Sequence, residues 1–62
     1  MPIITVEMWP GRTREQKAEL AKAFTEAMVK IGKTTPEATH VIFVDVPKGD
    51  WAIAGKLSDD TK

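Results

Sequence analysis

The second residue, Pro2, could do chemistry that depends on its place in the chain. Removal of Met1 by methionine aminopeptidase would make the ring nitrogen of Pro2 the free α-amino group. An ordinary α-amino group titrates near ~7.7–8.0, and an apolar pocket lowers its pKa because it disfavours the charged form. The processed terminus would then be a general base near neutral pH. The ordinary alternative is that Pro2 only opens a strand, where the missing N–H costs no ladder bond.

The chain has few other groups from which to build a conventional active site. Its 62 residues include no cysteine and one histidine, His40, so a disulfide or a multi-histidine metal site is excluded. A domain this short buries only about 60% of the surface that its unfolded chain exposes. Small domains without disulfides or metals commonly oligomerise. We therefore expect one domain over residues 1–62 that self-associates and needs no cofactor.

Charge and hydropathy exclude several classes of partner. Nine Lys and Arg residues balance nine Asp and Glu residues, so no field of one sign attracts nucleic acid or an anionic membrane. No apolar run approaches the ~20 residues of a membrane span, and the N-terminal residues lack a signal-peptide pattern. We expect a cytoplasmic protein whose polar residues 58–62 form a frayed tail.

A strand and a helix are predicted in the first half of the chain. Pro2 to Trp9 is rich in β-branched residues and alternates between two faces. Thr13 and Gln16 have the spacing of a capping box, which begins a helix at Arg14. The expected strand faces are Ile4, Val6, Met8 and Ile3, Thr5, Glu7, Trp9. The helix is predicted to end near Ile31, with Gly32 as its left-handed terminal residue, and to pack one stripe on the sheet: Leu20, Ala21, Phe24, Ala27, Met28, Ile31.

A second strand completes the predicted unit. A helical turn begins at Thr35-Pro36-Glu37, and His40 to Val46 is then apolar on both faces, as in parallel sheets. The class is therefore α+β: one β-α-β unit with a right-handed helical crossover, followed by a hairpin-like segment that begins at Trp51. One helix covers only one face of a two-stranded sheet. We therefore expect another copy of the chain to cover the other face.

Three features occur in collinear order: Pro2, the Gly11-Arg12 pair after the first strand, and the segment led by Trp51. With their neighbours they resemble the 4-oxalocrotonate tautomerase family, also called 2-hydroxymuconate tautomerases, of the tautomerase superfamily. The matching stretches are spread over nearly the whole length of the chain: Pro2-Ile3-Ile4, Gly11-Arg12-Thr13, Glu15-Gln16-Lys17, Pro47-Lys48-Gly49 and Trp51-Ala52-Ile53-Ala54-Gly55. The resemblance implies chains that join their sheets in dimers, assemble as homohexamers, and build each site from several subunits.

The resemblance also implies a reaction. The N-terminal proline removes a proton next to a carbonyl or enol of a small unsaturated 2-hydroxy or 2-oxo acid and returns it along the conjugated chain. Arg12 matches an arginine that holds substrate oxygens, a task suited to its planar fork. Trp51 is expected to wall the pocket, although simple packing is an equally good interpretation. His40 replaces a second arginine and is only partly charged near neutral pH, so carboxylate binding is expected to be weaker or different. Arg14 could substitute for it, although a solvated first-turn position is the simpler interpretation.

Two alternatives stay open. A hydratase or dehalogenase of unsaturated acids could use the same terminus, but the sequence places no carboxylate clearly for water activation. A non-enzymatic binding module, similar in length to ribbon-helix-helix regulators, is disfavoured by the neutral charge and by the second strand at Val41 to Val46. The sequence does not choose between aromatic degradation and another pathway as the source of the substrate.

Overall fold

A computed structural model describes residues 1–59, which form a β-α-β unit followed by a short hairpin. The unit consists of β1 (Ile3–Met8), α1 (Arg14–Gly32) and β2 (His40–Asp45). A single 3-10 turn (Lys48–Asp50) then leads into the hairpin of β3 (Ala52–Ile53) and β4 (Lys56–Leu57). The predicted α+β class is confirmed. Over the described range, no helix has both the length and the apolar character to cross a membrane.

The sheet of β1 and β2 is covered on one face only. The strands pair in parallel, as predicted, with Ile3 beside His40 and Met8 beside Asp45. Alternate residues, including Ile4 and Phe43, are half-buried towards α1. The opposite face stays open, where Ile3 is 55% and Ile42 is 47% exposed. No side chain of the described residues is fully buried, so this chain alone does not enclose a hydrophobic core.

The start of α1 is held by the predicted capping box. The Gln16 N–H donates to Thr13 Oγ1 at 3.1 Å, and the Thr13 N–H donates to Gln16 Oε1 at 2.9 Å. One turn later, Lys17 Nζ donates to Asp45 Oδ2 at 2.7 Å and ties the helix to the end of β2. Both side chains are partly exposed, so this ion pair contributes at most about 1 kcal/mol.

Two expectations about the helix are wrong. Gly32 is the last helical residue, and Lys33 takes the left-handed conformation with φ 59°. A Cβ on Gly32 would lie 2.6 Å from Met28 Sδ, so a larger residue there would displace the flexible Met28 side chain. Ile31 is 78% exposed instead of packing on the sheet. Two strands about 4.8 Å apart are narrower than a helix of roughly 10 Å, so they leave the flanks of α1 uncovered.

The segments before and after β2 follow local turn rules. Before β2, Thr35 Oγ1 accepts from the Ala38 N–H at 3.3 Å, which confirms the predicted turn. After β2, Ala54 and Gly55 have φ values of 54° and 81°, the positive pair that a two-residue type I′ hairpin requires. Ser58 was expected in a frayed tail, yet its N–H donates to the Trp51 carbonyl at 2.8 Å. The rest of that predicted tail, residues 60–62, lies outside the described residues.

Candidate active site

Pro2 and His40 lie together at one end of the sheet. The Pro2 carbonyl accepts a hydrogen bond of 3.0 Å from the His40 backbone N–H, which extends the parallel ladder by one residue. Pro2 is half-buried and His40 is exposed. Met1 precedes them with 82% of its surface exposed. While Met1 is attached, the Pro2 nitrogen is an amide and has no basicity.

Arg12 lies at the opposite end of the same strand. It follows β1 in an exposed loop whose Gly11 has a φ of 131°, a conformation that favours glycine. Six steps of about 3.3 Å separate Pro2 from Met8, so β1 alone places roughly 20 Å between the two ends. A single chain therefore does not bring Pro2 and Arg12 together.

Trp51 belongs to the Arg12 end. Its ring meets that of Trp9 with centroids 5.8 Å apart and planes at 70°, an edge-on contact. Lys48 Nζ lies 4.7 Å from the centroid of the Trp9 ring. The sequence interpretation missed this cluster, because it placed Trp9 on one face of a longer strand, with Ile3, Thr5 and Glu7. The strand ends at Met8 instead, and Trp9 packs on a residue 42 positions away.

Two open grooves contain the remaining candidate side chains. Beside Trp51, Glu7 and Asp50 bring two carboxylates into a groove that Val46 and Ala52 also line. Arg14 instead lines a groove on the side covered by α1, together with Lys17, Ala18, Ala21 and Phe43. The groove that Arg14 lines contains neither His40 nor Trp51.

The chemistry offered by one chain is divided between the two ends of the sheet. One end carries the proline and a histidine. The other carries Arg12, a second cation in Lys48 and two indole rings. Removing a proton requires a base, and stabilising the resulting oxyanion requires a cationic donor in the same site. Neither end of the sheet offers both. The ends become one site only if two or more copies meet.

Known proteins share this arrangement of elements. The family of tautomerase enzymes matches residues 2–61. A probable tautomerase of Streptococcus agalactiae is 39% identical over 57 residues, which cover 92% of this chain and 95% of the relative. The crystal structure of YwhB, a homologue of 4-oxalocrotonate tautomerase, has a TM-score of 0.93 at 36% identity and covers 98% of this chain and 100% of its own.

A second solved structure matches the entire length. It is a heterohexamer 4-oxalocrotonate tautomerase from Chloroflexus aurantiacus, with a TM-score of 0.91 at 29% identity and full coverage of both chains. The matches include both strands, the helix and the hairpin, so they extend well beyond any single motif. This chain belongs to the tautomerase family.

Proposed function

We propose that the protein is a cofactor-independent tautomerase that moves a proton along a small unsaturated 2-hydroxy or 2-oxo acid such as 2-hydroxymuconate. Pro2 is the general base, after removal of Met1. The observation that carries the proposal is the family match, which begins at Pro2 and spans both Arg12 and Trp51. Pro2 is also half-buried at the edge of an apolar sheet face, an environment that favours a neutral amine.

The proposed reaction needs one proton and one base. The neutral Pro2 nitrogen accepts the proton of the substrate 2-hydroxyl group, and the resulting conjugated enolate carries negative charge on oxygen. The protonated Pro2 then delivers that proton to a carbon farther along the chain, which leaves a 2-oxo acid and a neutral amine. The reverse direction begins with removal of the carbon-bound proton. Arg12 stabilises the oxyanion with a charge-assisted fork, which matters most in a site that excludes water.

The site is proposed to form between copies of the chain. Three observations support this: the distance of roughly 20 Å along β1 between the Pro2 and Met8 ends, the open apolar face with Ile42, and the hexameric assembly of one relative. The Cα radius of gyration is 14.7 Å, whereas a compact chain of about 60 residues has roughly 10–11 Å. We infer self-association into a homohexamer built as a trimer of dimers, with Pro2 of one subunit close to Arg12 of another.

Two further residues complete the proposed pocket. Trp51 supplies an apolar wall that lowers the local dielectric around the amine and keeps it neutral. His40 lies beside the Pro2 backbone and is available to contact a substrate carboxylate or carbonyl oxygen. An imidazole cannot grip a carboxylate with two parallel N–H donors, so it binds this group less firmly than an arginine fork does.

The proposal is tested by Pro2→Ala, with intact mass spectrometry confirming that Met1 has been removed from both proteins. The variant replaces the secondary ring amine with a primary α-amino group that no ring holds in place, so we expect a loss in kcat for 2-hydroxymuconate of at most about 10²–10⁴-fold, which is what general base catalysis contributes. Pro36→Ala is the matched control, since Pro36 is exposed and lines a groove with α1 residues such as Lys22 and Lys30. A Pro2→Ala enzyme as active as the parent would reject the role of Pro2.

One observation favours a second candidate function. Glu7 and Asp50 line the groove beside Trp51, so carboxylates that could activate water lie closer to the pocket wall than the sequence suggested. This arrangement would suit a hydratase or dehalogenase of unsaturated acids. Incubation with 3-haloacrylates separates the two candidates: halide release that is lost in both Glu7→Gln and Asp50→Asn would favour the hydrolytic activity.

A further inference from the structure

Trp9 is the centre of a cluster whose members come from three parts of the chain. It follows β1 directly, it meets Trp51 edge-on at 5.8 Å, and Lys48 Nζ lies 4.7 Å from its ring centroid. An ammonium group at this distance from an indole ring is attracted to its electron-rich face. One ring therefore contacts both the proposed pocket wall and a cation.

We propose that Trp9 is a positioning residue that fixes the orientation of Trp51, and that Lys48 holds the Trp9 ring in place. The inference rests on the proposed function, in which Trp51 walls the substrate pocket. Trp51 itself lies between a single 3-10 turn and a strand of two residues. Its backbone is held by one hydrogen bond on each side, to Lys48 and from Ser58. With so little regular structure around it, its side chain takes its orientation from packing against Trp9.

The contact depends on the ring of Trp9 and not on its polar atom. Trp9 Nε1 is buried without a hydrogen-bond partner among residues 1–59. Phenylalanine at this position removes the N–H and retains an aromatic ring that can meet Trp51 and Lys48. Leucine removes the ring but keeps an apolar side chain. The pair Trp9→Phe and Trp9→Leu therefore separates aromatic positioning from simple apolar filling.

Fluorescence reports the position of Trp51 without any activity assay. Trp9 and Trp51 are the two tryptophans of the chain, so both Trp9 variants leave Trp51 as the sole indole emitter. We expect acrylamide to quench Trp51 more steeply in Trp9→Leu than in Trp9→Phe. Lys48→Met, which keeps the long stem and removes the charge, should shift the emission spectrum. Lys22→Met, on the solvated side of α1, should leave the spectrum unchanged.

Kinetics test whether the effect of Trp9 passes through Trp51. From the free energy that an aromatic pair contributes, we expect Trp9→Leu to raise KM about 2- to 10-fold at nearly constant kcat. Trp9→Phe should keep KM close to that of the parent. In a Trp51→Leu background, Trp9→Leu should add no further change. Additive effects, or equal losses in Trp9→Phe and Trp9→Leu, would overturn the positioning role. A fully active Pro2→Ala variant would reject the proposed reaction alone, because the quenching comparison would still test the Trp9–Trp51 contact.

Discussion

Ile42→Lys should break the assembly that the open face of the sheet is inferred to support. Ile42 is 47% exposed on that face, close to Ile3 and Val44, which are 55% and 38% exposed. Complete burial of an isoleucine side chain contributes about 1.5–3 kcal/mol, so covering the exposed half of Ile42 contributes about 1 kcal/mol per chain. A lysine ammonium trapped at the same place would add a desolvation penalty of several kcal/mol.

These contributions together predict that the free energy of association becomes less favourable by about 3–5 kcal/mol per chain, which weakens association at least 100-fold. Native mass spectrometry and sedimentation velocity would measure the subunit count over a dilution series. The melting temperature of the parent should rise with protein concentration, because association stabilises the folded chain. Ile42→Lys should lose that dependence and unfold at lower temperature, since no side chain of residues 1–59 is fully buried within one chain.

Ala23→Lys is the control for the added charge. Ala23 is exposed on α1 and lines none of the grooves described above, so its lysine variant should keep the parental subunit count and melting temperature. Ile42→Thr retains a β-branched side chain and should weaken association less than the lysine variant does. An Ile42→Lys protein with the parental subunit count and melting temperature would refute the argument that this face is covered by another copy.

Three further predictions test the site and the hairpin. Arg12→Ala should lower kcat about 10²–10³-fold through loss of an oxyanion donor, while Arg14→Ala should leave it nearly unchanged; equal losses in steady-state assays would contradict the assignment. His40→Arg should lower KM for diacid substrates more than for monoacids, and an unchanged diacid KM would count against a binding role for His40. Ala54→Gly should raise the free energy of unfolding in urea by about 0.5–1 kcal/mol, because alanine at a φ of 54° is strained and glycine is not; a decrease would show that the strain argument fails.

Local sequence patterns predicted most of the secondary structure. β1 and β2 end one residue earlier than expected, and the Thr13–Gln16 capping box is present because its groups are only three residues apart. The end of α1 was harder to predict. Gly32 is the last helical residue and lies against the Met28 side chain, so the general preference for glycine in the left-handed position does not apply to it. The exposure of Ile31 reflects the narrow width of the sheet, which periodicity along the helix cannot report.

The sequence proposes the members of the candidate site but does not reveal their geometry. Pro2, Arg12 and Trp51 follow from their order along the chain, yet only the fold shows that Pro2 and Arg12 lie at opposite ends of β1. The role of Trp9 was missed because its partner lies 42 residues away, and strand alternation assigned it to a face instead. The one sequence signal for this cluster was that the chain has a second tryptophan, Trp9, and a lysine, Lys48, three residues before Trp51. It could not be interpreted without the position of the 3-10 turn.

The proposed reaction requires the free imino nitrogen of Pro2 as its base. The most direct measurement compares kcat/KM with the fraction of chains that begin at Pro2, determined by intact mass on the same samples. A variant with one glycine inserted between Met1 and Pro2 provides the blocked end point, because removal of Met1 then leaves the Pro2 nitrogen in an amide bond. Native mass spectrometry confirms that its assembly is unchanged. We predict activity proportional to the processed fraction and a blocked protein that is essentially inactive. A blocked protein with the same assembly and the full rate would contradict the account.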